Sequence, residues 1–487
     1  MVVAATAAVL VLMLSAFQPE PASPRPMPPN IVVILTDDQS PETIPADPPV
    51  MPKLQAMIED PNDDWIRFEN AYVTIPLCCP SRASILTGQH PHHTGVLTNA
   101  DGGLLDPSST IATWLKEAGY TTALVGKYLN GYPFGRAATP PPGWDRWIAK
   151  IQGDSTSVYR NFGLSEQGFP VAYEGPDSYT TDVFADAATD FLASAPDDAP
   201  FFLYFAPTAP HSPRTPARDY RGSWTDEIPR PASFDEADVS DKPEWVRRIP
   251  PADADERARL DDARRAEYET LRSVDDAVAD LIEALRDRGV LDDTVLFFLT
   301  DNGFAFGEHR WDAKSCPFDA CVRTPFLVRY PGATSRTEVG LVSTVDIAPT
   351  LAAIARTSAG PIDGTSLVPI LEGRSVRPAE GVLIRFGGFE RIPAWWQVRT
   401  SRYAYVEYET GETELYDLVE DPDQLENIAA TNEGRSVAPG LRVLLDQLRT
   451  RAASPDRLPR PCRMRRGPGP ACRSHAAAAA APGVSSR

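Results

Sequence analysis

The segment Pro76-Leu77-Cys78-Cys79-Pro80-Ser81-Arg82-Ala83-Ser84-Ile85-Leu86-Thr87-Gly88 holds the densest chemistry in this chain. Pro80 suits the first turn of a helix and Gly88 the position just past its end. Cys78 then lies at the helix N-terminus, where unpaired N–H groups and the macrodipole favour an anion. Arg82 falls one turn further along the same face. A nucleophile position, a helix N-terminus and an Arg together make a site for a tetrahedral oxyanion. A thiolate there is expected to be unusually acidic, so a plain cysteine nucleophile is one chemistry open to the segment.

Open parallel α/β sheets bind ligands beyond the carboxyl ends of their strands. The apolar run 31–35 ends in Thr36-Asp37-Asp38, and the run 295–299 in Thr300-Asp301-Asn302-Gly303. The run 122–125 leads into Gly126-Lys127, and 201–205 leads through a Pro-rich turn to His211. One Asp at a strand end is an ordinary turn residue; four such ends together are not. Asp37, Asp38, Asp301 and Asn302 offer only hard oxygen, which suits Ca²⁺ or Mg²⁺ and not Zn²⁺.

These ends need a scaffold, and the pattern supplies one. Continuous β-branched and aromatic runs are expected of strands buried on both faces, while Leu271, Val274, Val278, Leu281 and Leu285 recur at helical spacing. The expected class is α/β, a mostly parallel sheet covered by helices over 30–378. The stretch 213–251 looks like a long surface excursion. After about residue 380 come short strand-like runs, 395–398, Tyr403–Tyr408 and 414–418, with a turn at Thr410-Gly411. They predict a smaller antiparallel sheet, then a helix near 435–450, within a unit spanning 379–450.

The ends of the chain differ from this body. Residues 1–17 carry no charge, and a proline-rich linker runs to residue 29. A signal peptide or apolar leader is expected, and hence export. Residues 451–487 hold eight Arg and one acid, Asp456, with Pro, Gly and six consecutive alanines, and read as a disordered basic tail. A net charge of −20 over 487 residues excludes nucleic acid as the main partner. Cys316 with Cys321, and Cys462 with Cys472, are close enough in sequence to staple loops in an oxidising compartment.

Cys78-Cys79-Pro80-Ser81-Arg82 followed by Leu86-Thr87-Gly88 resembles the Cys-x-Pro-Ser-Arg signature of the type I, formylglycine-dependent sulfatases. The companions lie in the expected order: Asp37-Asp38, Gly126-Lys127, Ala209-Pro210-His211-Ser212, Asp301-Asn302-Gly303, then Lys314. Val345-Asp346-Ile347-Ala348-Pro349-Thr350 and Glu414-Leu415-Tyr416-Asp417-Leu418 resemble the family's late segments, so the likeness covers roughly 30–430. Leu77-Cys78-Cys79-Pro80, Gly126-Lys127-Tyr128-Leu129-Asn130 and Ser273-Val274-Asp275-Asp276 resemble N-acetylglucosamine-6-sulfatases in particular.

The resemblance implies an alkaline-phosphatase-like fold and a sulfatase that needs a formylglycine-generating enzyme to convert Cys78 to Cα-formylglycine. It further implies Ca²⁺, with Mg²⁺ the other candidate, held by Asp37, Asp38, Asp301, Asn302 and the residue-78 oxygen. Arg82, Lys127 and Lys314 would stabilise sulfuryl charge, and His211 would protonate the leaving alcohol. The substrate would be a sulfated sugar or a small sulfate ester. An arylsulfatase, a phosphate- or phosphonate-ester hydrolase and a non-catalytic sulfated-glycan binder stay open. One departure matters: many members carry a His two residues after the sulfate-binding lysine, and here that residue is Leu129. His90, His92 and His93 are expected to be structural or at the substrate rim, and His309 is a rim candidate. His475 lies in the tail without an expected role. Trp395 and Trp396 are expected either to pack the small sheet or to stack on a sugar.

Overall fold

The computed structural model describes residues 27–134, 139–151, 158–374, 379–389 and 391–451. Residues 1–26 of the leader and 452–487 of the tail, with Cys462, Cys472 and His475, lie outside the described residues.

Among the described residues, ten strands form one sheet. In spatial order they are β10 (Arg336–Ser343), β2 (Trp65–Tyr72), β9 (Phe326–Arg329), β8 (Thr294–Thr300), β1 (Asn30–Thr36), β7 (Phe201–Ala206), β3 (Thr121–Gly126), β4 (Arg146–Lys150), β5 (Phe162–Glu166) and β6 (Phe169–Tyr173). The five strands from β8 to β4 run parallel, and antiparallel pairings come in on either side of them. Every residue of β1, β7 and β8 is buried, because helices cover both faces. Ile31, Val33 and Leu35 pack with the helices Cys78–Thr87, Ile111–Glu117 and Ile347–Ile354. Val32 and Ile34 pack with Thr180–Ser194 and the long helix Ala254–Asp287. Its five periodic aliphatics, Leu271 to Leu285, are wholly buried, each contributing about 1.5–3 kcal/mol. The side chain of Asp253 accepts from Glu256 N–H and starts this helix.

The excursion 213–251 is less superficial than its composition suggests. Trp224, Ile228, Trp245 and Val246 are buried, and Trp224 meets Tyr268 of the long helix edge-on at 4.7 Å. Scattered apolar residues without a period hid this packing.

A second, four-stranded antiparallel sheet follows: β11 (Val382–Phe386), β12 (Trp395–Arg399), β13 (Tyr403–Tyr408) and β14 (Thr413–Asp417). One face, with Ile384, Trp395, Val406 and Tyr416, packs with Tyr72, Trp245 and Phe318. The other lies under the helix Asn432–Thr450 through Leu441 and Leu445. Among the described residues no helix is long and apolar enough to cross a membrane.

The C-terminal ends of β8, β1, β7 and β3 sit side by side, with Thr36 paired to Thr300 and Gly126 to Ala206. Gly126 has φ +122°, and a Cβ there would stand 2.0 Å from Ala206 O. Gly126→Ala is therefore expected to cost roughly 2–4 kcal/mol in chemical denaturation, and to lower activity by displacing Lys127.

Candidate active site

The helix Cys78–Thr87 begins as the prolines and glycine require: Leu77 is extended at the N-cap and Gly88 ends the helix in the left-handed region. Cys79 N–H donates to Asn99 Oδ1 at 3.0 Å. Cys78 itself is buried, with Sγ 3.5 Å from Asp37 Oδ1 and 3.7 Å from Asp38 Oδ1. Asp38 adopts φ 63° at the end of β1, a conformation Asp tolerates. Its N–H donates to Asp301 Oδ1 at 3.2 Å, tying the β1 and β8 loops together. Ser40 then donates N–H and hydroxyl to Glu267 at 2.8 and 3.0 Å, anchoring the loop to the long helix.

Three cations from three elements answer the carboxylates. Arg82 Nε donates to Asp301 Oδ2 at 2.7 Å and Nη1 to the Lys127 carbonyl at 3.0 Å, while Nη2 lies 3.7 Å from Asp37. Lys127 Nζ donates to Asp37 Oδ2 at 2.5 Å. Lys314 Nζ donates to both oxygens of Asp38, at 2.7 and 3.0 Å, and lies 2.8 Å from Cys78 Sγ. His211 Nε2 stands 3.6 Å from Asp38 Oδ2, and Nδ1 is 2.7 Å from the Ser212 carbonyl.

Lys314 is held by the small sheet. Alternate residues of β12 grip the segment after it: Trp395 Nε1 donates to Ser315 O, Gln397 Nε2 to Pro317 O, and Arg399 pairs with Asp319. A Cys316–Cys321 disulfide closes the same loop. Trp395 is thus core and not a sugar platform, and Trp396 lies between Arg385 and Arg449.

The electrostatics correct one expectation. Burial would raise Asp37, but Lys127, His211, Arg82 and Lys314 outweigh it and hold that carboxyl well below its usual range. Asp38 is also lowered: burial opposes this, and Lys314 and His211 prevail. Burial and repulsion by Asp37 raise Asp301 despite Arg82. Cys78 is no acidic thiolate. Burial pushes its thiol far up, and Asp37 and Asp38 add to this, against the pull of Lys127 and Lys314. An unmodified thiolate nucleophile is disfavoured at this place.

Donor atoms of Asp37, Asp38, Cys78 and His211 lie within 4.8 Å of one another. Asp301 joins through Arg82 and the Asp38 amide. Asn302 Nδ2 donates to Asp38 Oδ1 at 2.7 Å, whereas Asn302 Oδ1 is buried without a partner. A hard cation fits the oxygens of Asp37, Asp38, Asp301 and Asn302: each carboxylate has spare lone pairs, and the Asn302 amide oxygen is one that nothing else uses. Leu129 packs in the core beneath the helix. His93 Nδ1 meets Asp363 at 2.6 Å, and His309 is buried against Glu236, so His309 is not at the rim. Asn99 and Glu267 brace the site from distant segments and gave no local sequence signal.

Arg82→Met would strand Asp301 as a buried charge and is expected to cost about 3–5 kcal/mol. Adding Asp301→Asn should recover at least half of it. Strictly additive losses in a denaturation cycle would show that the two are not coupled.

A family model described as "Sulfatase" matches residues 29–357, and one described as "N-sulphoglucosamine sulphohydrolase, C-terminal" matches 307–451. The chain is 32% identical to human N-acetylglucosamine-6-sulfatase over 462 residues, 83% of this chain and 81% of that one. It is 33% identical to a Volvox carteri arylsulfatase, covering 82% and 71%. In fold it resembles a solved protein in complex with its substrate D-glucosamine-2-N,6-O-disulfate, with a TM-score of 0.76 at 23% identity, covering 86% of this chain and 97% of that one. The sulfatase model alone spans well over half of the chain, so this protein belongs to the sulfatase family and is a sulfuric ester hydrolase.

Proposed function

We propose that the protein is an exported sulfatase that removes 6-O-sulfate from a terminal glucosamine residue, with Cys78 oxidised to Cα-formylglycine by a formylglycine-generating enzyme. What carries the proposal is the convergence of Cys78, Arg82, Lys127, Lys314 and His211 on the Asp37–Asp38 pair. The sugar rests on the segments shared with N-acetylglucosamine-6-sulfatases and on the human relative of that name. Export rests on the uncharged leader.

Hydrated formylglycine at position 78 would supply an oxygen nucleophile in place of sulfur, and Ca²⁺ or Mg²⁺ held by Asp37, Asp38, Asp301 and Asn302 would withdraw charge from the sulfuryl group. Arg82, Lys127 and Lys314 surround position 78 with fixed positive charge. They favour the extra negative charge that builds on the sulfuryl oxygens as the ester S–O bond breaks. The Ser212 carbonyl accepts from His211 Nδ1–H and so leaves Nε2 facing the site. From there the imidazolium gives its proton to the departing alkoxide. Leu129 has no proton to exchange, so release of sulfate must use another group or water.

The peptide bearing residues 78 and 79 should show an aldehyde at 78 and an intact thiol at 79 by mass spectrometry. Cys78→Ala should abolish turnover, and full activity with unmodified Cys78 would defeat the mechanism. Exhaustive chelation, verified by elemental analysis, should remove activity, and an unchanged rate would refute the ligand set. His211→Ala should slow release of a sugar alcohol by about 10²–10⁴ but nitrophenyl sulfate much less, since nitrophenolate leaves without a proton. The sugar itself is tested by kcat/KM on 6-sulfo-N-acetylglucosamine, its 3-sulfo isomer and nitrophenyl sulfate. A lead for the aryl ester would make the protein an arylsulfatase with the same residues.

A further inference from the structure

Arg82 sits on a helix and Lys127 follows the end of a strand, but Lys314 reaches Cys78 from the loop between β8 and β9. Loops place side chains less precisely than helices and strands do. The same loop begins with Asp301 and Asn302, so one stretch of chain carries two of the oxygen donors and a cation that must meet them. The bonds from β12 reach only its middle, at Ser315, Pro317 and Asp319. They leave the turn at Asn302 untouched.

The cross-link spans that gap. Cys316 and Cys321 are both buried and joined. Cys321 Sγ packs 3.5 Å from the carbonyl oxygen of Ala313, the residue before the lysine. Its own carbonyl accepts from Gly303 N–H at 3.0 Å. A Cβ on Gly303 would stand 2.1 Å from Ala320 O, so the cross-linked segment lies directly against the turn that follows Asn302. Between lysine and half-cystine comes Ser315, whose backbone is left-handed at φ 80°. A serine enters that region at a cost and stays there only where its surroundings enforce it. Trp395 holds the Ser315 carbonyl at 3.1 Å, and Cys316 anchors the peptide beyond it. With the cross-link gone, Ser315 is free to rotate toward ordinary φ, which swings the Lys314 side chain away from residue 78.

We propose that the Cys316–Cys321 disulfide is a positioning element of the reaction: it keeps Ser315 left-handed and so fixes Lys314 Nζ against residue 78 and the Asn302 turn. The proposal rests on the role given to Lys314 above. It does not depend on which sulfate ester is the substrate.

The test measures kcat and KM on nitrophenyl sulfate, with each rate divided by the fraction of chains modified at residue 78. Cys316→Ser with Cys321→Ser should lower kcat by about 10–100-fold and leave KM within about threefold of wild type. Lys314→Ala should lower kcat by about 10²–10³. Adding the two serines to Lys314→Ala should change kcat by less than about twofold, because the cross-link then has no ammonium to place. Ser315→Gly in the chain without the cross-link should return part of the lost rate, since glycine adopts a positive φ without strain. Equal losses with and without Lys314, no loss at all, or no recovery with Ser315→Gly would overturn the proposal and leave the disulfide a staple for the fold. Cys316→Ala with Cys321→Val fills the same apolar space and replaces the serine pair if that pair does not fold. Failure of both pairs to fold would make the cross-link a folding requirement and overturn the proposal as well. A full rate in Lys314→Ala would instead defeat the role of Lys314 itself.

Discussion

Asp37, Asp38 and Asp301 are crowded into a space that excludes water, and the rest of the site exists on condition that they stay charged. Two carboxylates about 4 Å apart repel by roughly 4 kcal/mol at an effective dielectric of about 20, and burial adds to the penalty. Arg82, Lys127 and Lys314 oppose it, one cation per carboxylate, and prevail at Asp37 and Asp38, while Asp301 stays raised. The formal charges of the six cancel. A divalent cation and a singly charged sulfate ester arriving together would thus change the net charge by one unit only. In the proposed reaction the same cations would serve both the resting fold and the sulfuryl oxygens, already in place before the ester arrives.

These cations come from three separated places: the first turns of the helix Cys78–Thr87, the end of β3, and the loop gripped by β12. The site is therefore complete only when the parallel sheet is registered and the small sheet has docked. The small sheet carries Trp395 and Trp396, whose rings the sequence left open between packing and sugar stacking. Here its alternate residues face inward and fix the peptide that carries Lys314.

Much of this was legible in the residues themselves. Strands β1, β3, β7 and β8 are uninterrupted apolar runs, because strands covered on both faces have no polar side to advertise. The residues at their ends stood out by chemical type and converge as expected. What was hidden depends on partners far away in sequence. Strands β2 and β10 mix polar and apolar residues, and β4 to β6 are short. The residues buried from 213–251 show no period. The acidity expected of Cys78 failed for a related reason: a helix N-terminus can be read locally, but the exclusion of water and the nearness of Asp37 and Asp38 cannot. Asn99 and Glu267 look ordinary in the sequence, and only the fold shows what they touch.

The burial of Cys78 also sets an order of events. Its side chain has no solvent exposure, lies in the first turn of a helix packed on the sheet, and is closed over by Lys314. An enzyme that oxidises this sulfur cannot reach it once β1, β8 and the helix have assembled. If Cys78 is oxidised as proposed, maturation and folding would compete for the same chain, and the winner would be decided by time. A chain that folded too soon would be trapped with its thiol intact. The yield of modified protein would then be a kinetic quantity, set by how long residues 76–88 stay extended, and no later exposure of the folded protein to a modifying enzyme would raise it.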